Sequence, residues 1–165
     1  MKKLSENINT RYFNPKDITG AAQKYLIEKW LYERNIIRYN INPDFTIDVD
    51  EIVLIENIEN GMFPDYIQFN IINWDFDCHS NNLRSLIGGP IKITGSYNCR
   101  DNKLTSLEHC PRIIPGWFNC SFNSLKTLDY SPRYVGQTFS CRHNARRFTE
   151  SYVRSYCDVK DIIEL

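Results

Sequence analysis

Cys78, Cys99, Cys120 and Cys141 are the side chains best equipped for chemistry, and His79 and His143 stand close to the first and last of them. Thiolate and imidazole together suit a zinc site or an activated nucleophile. The spacing argues otherwise. Each cysteine follows the previous one by 21 residues, whereas tetrahedral zinc sites gather ligands from closely spaced cysteine pairs. A column of thiols, one per strand, is the expected arrangement, and buried thiols behave as small core residues. Cys110 and Cys157 fall outside the column. Cys110 stands where neighbouring windows have Gly89 and Ser131, so it reads as a small loop residue. His79, His109 and His143 are the only histidines and lack motif partners. No nucleophile elbow, Walker loop or HExxH helix is present, and Gly88-Gly89-Pro90 reads as a turn. Asp48-x-Asp50-Glu51 offers calcium-type oxygens without the dozen-residue loop that calcium needs, and reads as a solvated strand edge. The chain is expected to be no enzyme and to hold no metal and no cofactor.

The elements that carry these cysteines follow from what else repeats with them. An aromatic stands two places before each one (Phe76, Tyr97, Phe118, Phe139) and an asparagine three places after (Asn81, Asn102, Asn123, Asn144). The first three windows add Leu83, Leu104 and Leu125, then Leu86, Leu107 and Leu128, then Pro90, Pro111 and Pro132. A fixed period of this length marks a stacked repeat array, and such arrays mostly present a surface. Side chains alternate along a strand, so the aromatic and the cysteine of each repeat point inward together. The asparagines are expected to satisfy backbone groups where the chain leaves the strand, forming a ladder from repeat to repeat. Leucines fill the centre, and proline stiffens an extended return without needing an N–H partner.

Aligned, the unit is aromatic-x-Cys-x-x-Asn-x-Leu-x-x-Leu-x-x-x-Pro-x-x-Ile/Val. This resembles the leucine-rich repeat family and its L-x-L-x-x-N-x-L core, with Tyr97, Cys99, Asn102, Leu104 and Leu107 in the matching slots. The length and the proline resemble the short bacterial type. The aromatic-x-Cys variant, preceded by Gly95, Gly116 and a displaced Gly136, is similar to repeats encoded by large tailed phages. The resemblance implies an α/β repeat protein: a short leucine-rich repeat solenoid with a parallel sheet, an N-terminal helix and hairpin cap, and a C-terminal helical cap. The expected divisions are residues 1–52 for the N-terminal cap, 53–148 for the solenoid and 149–165 for the C-terminal cap.

Along the chain, residues 1–13 are polar and expected to fray. Asn14-Pro15-Lys16-Asp17 is a helix start, and Ala22, Leu26 and Trp30 share a row with Tyr25 alongside. This helix is expected to end near Asn35. Segments 38–41 and 45–55 read as strands around the turn Asn42-Pro43-Asp44. A degenerate first repeat then places Ile55 in the aromatic slot, Asn57 in the cysteine slot and Asn60 in the asparagine slot. After Asn144 the leucines give way to Arg146 and Thr149. Thr149 is expected to cap a closing helix over 150–157 with Tyr152, Val153 and Tyr156 inward.

Twenty basic and 20 acidic residues cancel, which argues against a dominant electrostatic pull toward nucleic acid or membrane. The signs are nevertheless separated: residues 44–65 have no Lys or Arg, and residues 133–154 carry five arginines against Glu150 alone. Met1-Lys2-Lys3 leads into no apolar run, and no long apolar stretch exists. A cytoplasmic protein with reduced thiols and no membrane contact is expected.

The same alternation makes the outer face readable. One column is Asp77, Asn98, Asn119 and Ser140. Its neighbours are His79, Arg100, Ser121 and Arg142 on one side, and Asp75, Ser96, Trp117 and Thr138 on the other. Arg100 and Ser121 are expected to face solvent. Trp117 is the residue type that anchors interfaces, with packing against the C-terminal cap as its plainer role. Strands about 4.8 Å apart give a strip about 20 Å wide, modest beside the roughly 800 Å² per partner of a standard interface. The expected function is a protein–protein interaction module of a monomer, phage-encoded and binding or inhibiting a host protein. Nucleic-acid binding through Arg100, Arg133, Arg142, Arg146 and Arg147 is the alternative.

Overall fold

The 21-residue period becomes a coil with two very short strands and two sharp changes of direction. The structure, a computed structural model, describes residues 20–165. Helix α1 (Gly20–Tyr32) leads into an antiparallel hairpin of β1 (Tyr39–Ile41) and β2 (Ile47–Val49), and β3 (Val53–Leu54) follows. Each later coil contributes one strand to each of two faces: β4 (Phe69–Ile72) and β5 (Phe76–Asp77), β6 (Lys92–Ile93) and β7 (Tyr97–Asn98), β8 (Ile113–Ile114) and β9 (Phe118–Asn119), β10 (Tyr134–Val135) and β11 (Phe139–Ser140). Helix α2 (Glu150–Tyr156) precedes a last pair, β12 (Asp158–Val159) and β13 (Ile163–Glu164).

The main sheet has six parallel strands in the order β13-β11-β9-β7-β5-β3. Phe76, Tyr97, Phe118 and Phe139 are direct partners across it, so the period in sequence is the register in space. On the other face β1-β2-β4-β6 and β8-β10-β12 form two shorter sheets. The protein is thus a capped parallel β-solenoid. Among the described residues no helix is long and apolar enough to cross a membrane.

Between the two faces the interior repeats coil by coil. The aromatic column is fully buried, with ring centroids 5.3 Å apart for Phe76 and Tyr97, 6.0 Å for Tyr97 and Phe118, and 5.1 Å for Phe118 and Phe139. The cysteine and leucine columns are buried beside it, each side chain contributing about 1.5–3 kcal/mol of apolar burial. At the corner between the faces, a methyl group on Gly116 would run into the backbone of Gly95 and Ser96. Only glycine lets adjacent coils approach so closely.

The asparagine ladder forms as expected. Asn102 Nδ2 donates to the carbonyls of Cys78, Cys99 and Arg100 at 3.0, 3.1 and 3.2 Å, and its Oδ1 accepts from the amides of Asn81 and Leu83 at 3.1 and 2.8 Å. One side chain therefore serves backbone groups of two coils, groups that would otherwise be buried without partners.

Four expectations need correction or extension. In the first coil Val53, not Ile55, pairs with Phe76. Ile55 takes the cysteine position, its amide donating to the Asp77 carbonyl as that of Cys78 donates to Asn98. This coil has two extra residues, because Val53 precedes Phe76 by 23 positions rather than 21. In α1 the buried face is Leu26, Ile27, Trp30 and Leu31, and Tyr25 is exposed. Trp30 meets Phe63 and Phe69 at 6.3 and 6.2 Å, so the helix closes the end of the aromatic column. The frayed segment 1–13 and the helix start at Asn14 lie outside the described residues. Thr149 does cap α2, accepting from the Tyr152 amide at 3.3 Å, and Val153 is its buried contact, while Tyr156 is exposed. The chain then continues the stack, since β12 and β13 pair in parallel with β10 and β11.

Candidate binding surface

The thiols come first, because their environment decides what they can do. Cys78, Cys99 and Cys120 are fully buried, with each sulfur 3.4–3.5 Å from a carbonyl of the next coil. Burial pushes Cys99, Cys110 and Cys120 well above the ordinary thiol range, Cys141 up to about 11 and Cys157 up to about 12. At neutral pH these are protonated thiols, poor as nucleophiles and as ligands. Cys110 is buried rather than merely small, close to Tyr97. The Tyr97 hydroxyl is buried without a hydrogen-bond partner. Among the described residues, no three His, Cys, Asp or Glu side chains gather as a metal site requires.

The outer columns have a different character. Asp77, Asn98 and Asn119 lie half-buried in register across β5, β7 and β9. Each side chain accepts from the amide two residues on: His79 at 2.9 Å, Arg100 at 3.2 Å and Ser121 at 3.0 Å. Asp77 also meets His79 Nδ1 at 2.7 Å and accepts from Asn98 Nδ2 at 3.0 Å. These bonds brace the strip without covering it. His79, Arg100 and Arg142 are exposed. Arg142 approaches Glu164 at 3.8 Å across the C-terminal edge.

Ser121 corrects the expectation of solvent exposure. It is buried, and its Oγ accepts from the Arg142 amide at 3.1 Å, so the next coil covers it. Ser140 is likewise buried, donating to Glu164 Oε2 at 2.6 Å. Ser96 is buried, and Asp75 Oδ1 accepts from its amide at 2.7 Å. Trp117 remains 37% exposed and makes no ring contact with the C-terminal cap.

Two groups of surface residues escaped the sequence reading. The first is Phe122, 40% exposed, with the Arg100 guanidinium 4.8 Å from its ring and His143 stacked against it at 4.4 Å. Ser80, Asp101, Phe122 and His143 form a column two places after the cysteines, all at φ of 51–55°. Asp, Ser and His adopt that conformation readily and a large aromatic does not. An aromatic in a left-handed slot was the available signal. The second group is Ile52 and Leu54, 63% and 46% exposed at the N-terminal end of the strip. They were missed because the first coil was read two residues out of register.

The strip therefore runs from aliphatic and acidic at the β3 end to cationic and aromatic at the β11 end. Compared with known proteins, the chain matches no family model, no curated protein and no solved structure.

Proposed function

We propose that this protein is a non-catalytic interaction module that binds a protein partner across the outer face of its six-stranded sheet. One observation carries the reading. Interior columns repeat the same residue types, while the outer columns change from coil to coil and leave Trp117, Arg100, Phe122, His143 and Arg142 accessible. Aromatic and arginine side chains on a braced surface are the usual anchors of protein interfaces. The braced half-buried column (Asp77, Asn98, Asn119) fixes the backbone beneath them, so little is lost in ordering the surface on binding.

The repeat pattern supports a leucine-rich repeat of the short type. Its phage-like variant supports a partner in a bacterial host, whose activity binding would block or redirect. The experiment is an affinity capture from nuclease-treated bacterial lysate, comparing the wild type with Trp117→Ala/Arg142→Ala. The reading expects one protein retained by the wild type and lost from the variant. Recovery that depends on intact nucleic acid would replace it with phosphate recognition by the arginines, and salt dependence would then be steep.

A further inference from the structure

We infer that the outer edge of β3 is a second docking site, one that takes an extended peptide segment of a protein partner bearing Lys or Arg between aliphatic side chains. The inference goes beyond the surface proposed above and uses none of its anchors.

The edge is open by construction. The amides of Val53 and Ile55 donate to the carbonyls of Asp75 and Asp77 at 2.9 and 2.7 Å. In a parallel ladder the alternate residue then turns its own N–H and C=O the other way. That residue is Leu54, and no described residue pairs with it on that side. The opposite face is finished differently: there β1 adds a strand outside β2, with no counterpart beside β3. Natural edges are ordinarily blunted by proline, lysine or a covering loop. Ile52-Val53-Leu54-Ile55 has none of these within it.

Beside this edge lies a cleft of about 490 Å³ between β3 and the turn after α1. Ile36, Ile52 and Leu54 supply apolar surface, and Glu33 and Glu56 supply negative charge. The cleft walls are fixed to one another: Glu51 Oε1 accepts from the amides of Ile37 and Arg38 at 2.6 and 2.9 Å. Arg34, the one cation in the lining, is committed to its own helix. It stacks on Trp30 at 4.0 Å, donates to the Trp30 carbonyl at 3.2 Å and sits 3.9 Å from Glu33. Glu56 makes no ion pair among the described residues. With no Lys or Arg between residues 44 and 65, the charge of the place selects a basic strand.

A second copy fits less well. Its C-terminal end would bring β12 and β13 together, and β1 already occupies the position on the other face that β12 would need. A single strand meets no such obstacle, and strand addition to an exposed edge is an established mode of peptide recognition.

The test uses the full chain and a capped, fluorescent hexapeptide alternating lysine and isoleucine, followed by anisotropy. Saturable binding is expected, weakened about 10-fold by Glu56→Lys, by Leu54→Lys, or by N-methylation of alternate peptide amides, and changed less than about 2-fold by Trp117→Ala. Hydrogen exchange at the Leu54 amide should be fast in the free chain and slow with peptide. Equal binding of the N-methylated peptide, or loss of binding in Trp117→Ala, would overturn the inference. So would a Leu54 amide already protected in the free chain, or concentration-dependent association abolished by Leu54→Lys, which would assign the edge to the chain itself or to a second copy.

Discussion

Asn119 and Asn123 are four residues apart in one coil and chemically identical, yet they belong to two different regions of the molecule. Asn119 lies half-buried on the outer strip and accepts a single amide, that of Ser121. Asn123 is buried at the turn, donates to the carbonyls of Cys99, Cys120 and Ser121, and accepts from the amide of Leu104. In the turn region the side chain substitutes for missing backbone partners, so its identity is dictated by the fold. On the strip it only braces a neighbour, and the same column reads Asp, Asn, Asn, Ser from coil to coil. Uniformity marks what holds the coils together, and variation marks what a partner meets.

The largest way to break that contrast is to truncate both residues. Asn123→Ala leaves buried carbonyls and an amide unpartnered, and should cost about 3 kcal/mol in urea unfolding, at about 1–3 kcal/mol for each unsatisfied buried group. Asn119→Ala should cost less than about 0.5 kcal/mol, the usual scale of a surface substitution. Equal losses would mean that the strip is as structural as the turn.

The thiol column sharpens the comparison through pH. Burial raises the cysteines in the folded state above their unfolded values, so the native state holds protons that the unfolded chain releases. Their contribution is complete below the unfolded thiol range and is lost as pH rises toward the folded values, about 11 for Cys141. Stability should therefore fall above about pH 9, by up to about 1.4 kcal/mol per pH unit for each buried thiol. Thermal unfolding at pH 8 and pH 10 measures it, and an unchanged midpoint would show that the interior admits water.

The smallest effect concerns Tyr97, whose buried hydroxyl has no partner. Tyr97→Phe should be neutral or stabilise by up to about 1 kcal/mol, since removing an unpaired buried polar group relieves a cost. A destabilisation greater than about 1 kcal/mol would show that the hydroxyl has a partner in solution.

These contrasts also explain what could be read from sequence. Interior slots accept few side-chain types, so Phe76 to Phe139 and Asn81 to Asn144 announce both period and register. The first coil hides its register because Val53, Ile55 and Ile58 are interchangeable aliphatics, and two extra residues shift the count. β12 and β13 were invisible because α2 interrupts the period and each strand contributes only two residues. Of the candidate surface, Asp77, His79, Asn98, Arg100, Trp117, Asn119 and Arg142 follow from alternation alone. The burial of Ser121 does not, because it depends on a bond to the amide of the next coil. Phe122 and Leu54 depend on a backbone conformation and on the corrected register.

The glycine corner and the asparagine ladder tie each coil only to its immediate neighbours. The stack therefore has no built-in length. A tandem duplication of residues 97–117 would supply its own glycine and asparagine at each junction and leave both capped ends untouched. It would widen the strip by one strand, about 4.8 Å. In such an architecture reach can change in whole steps, by copying a segment, while the chemistry at the two ends stays the same.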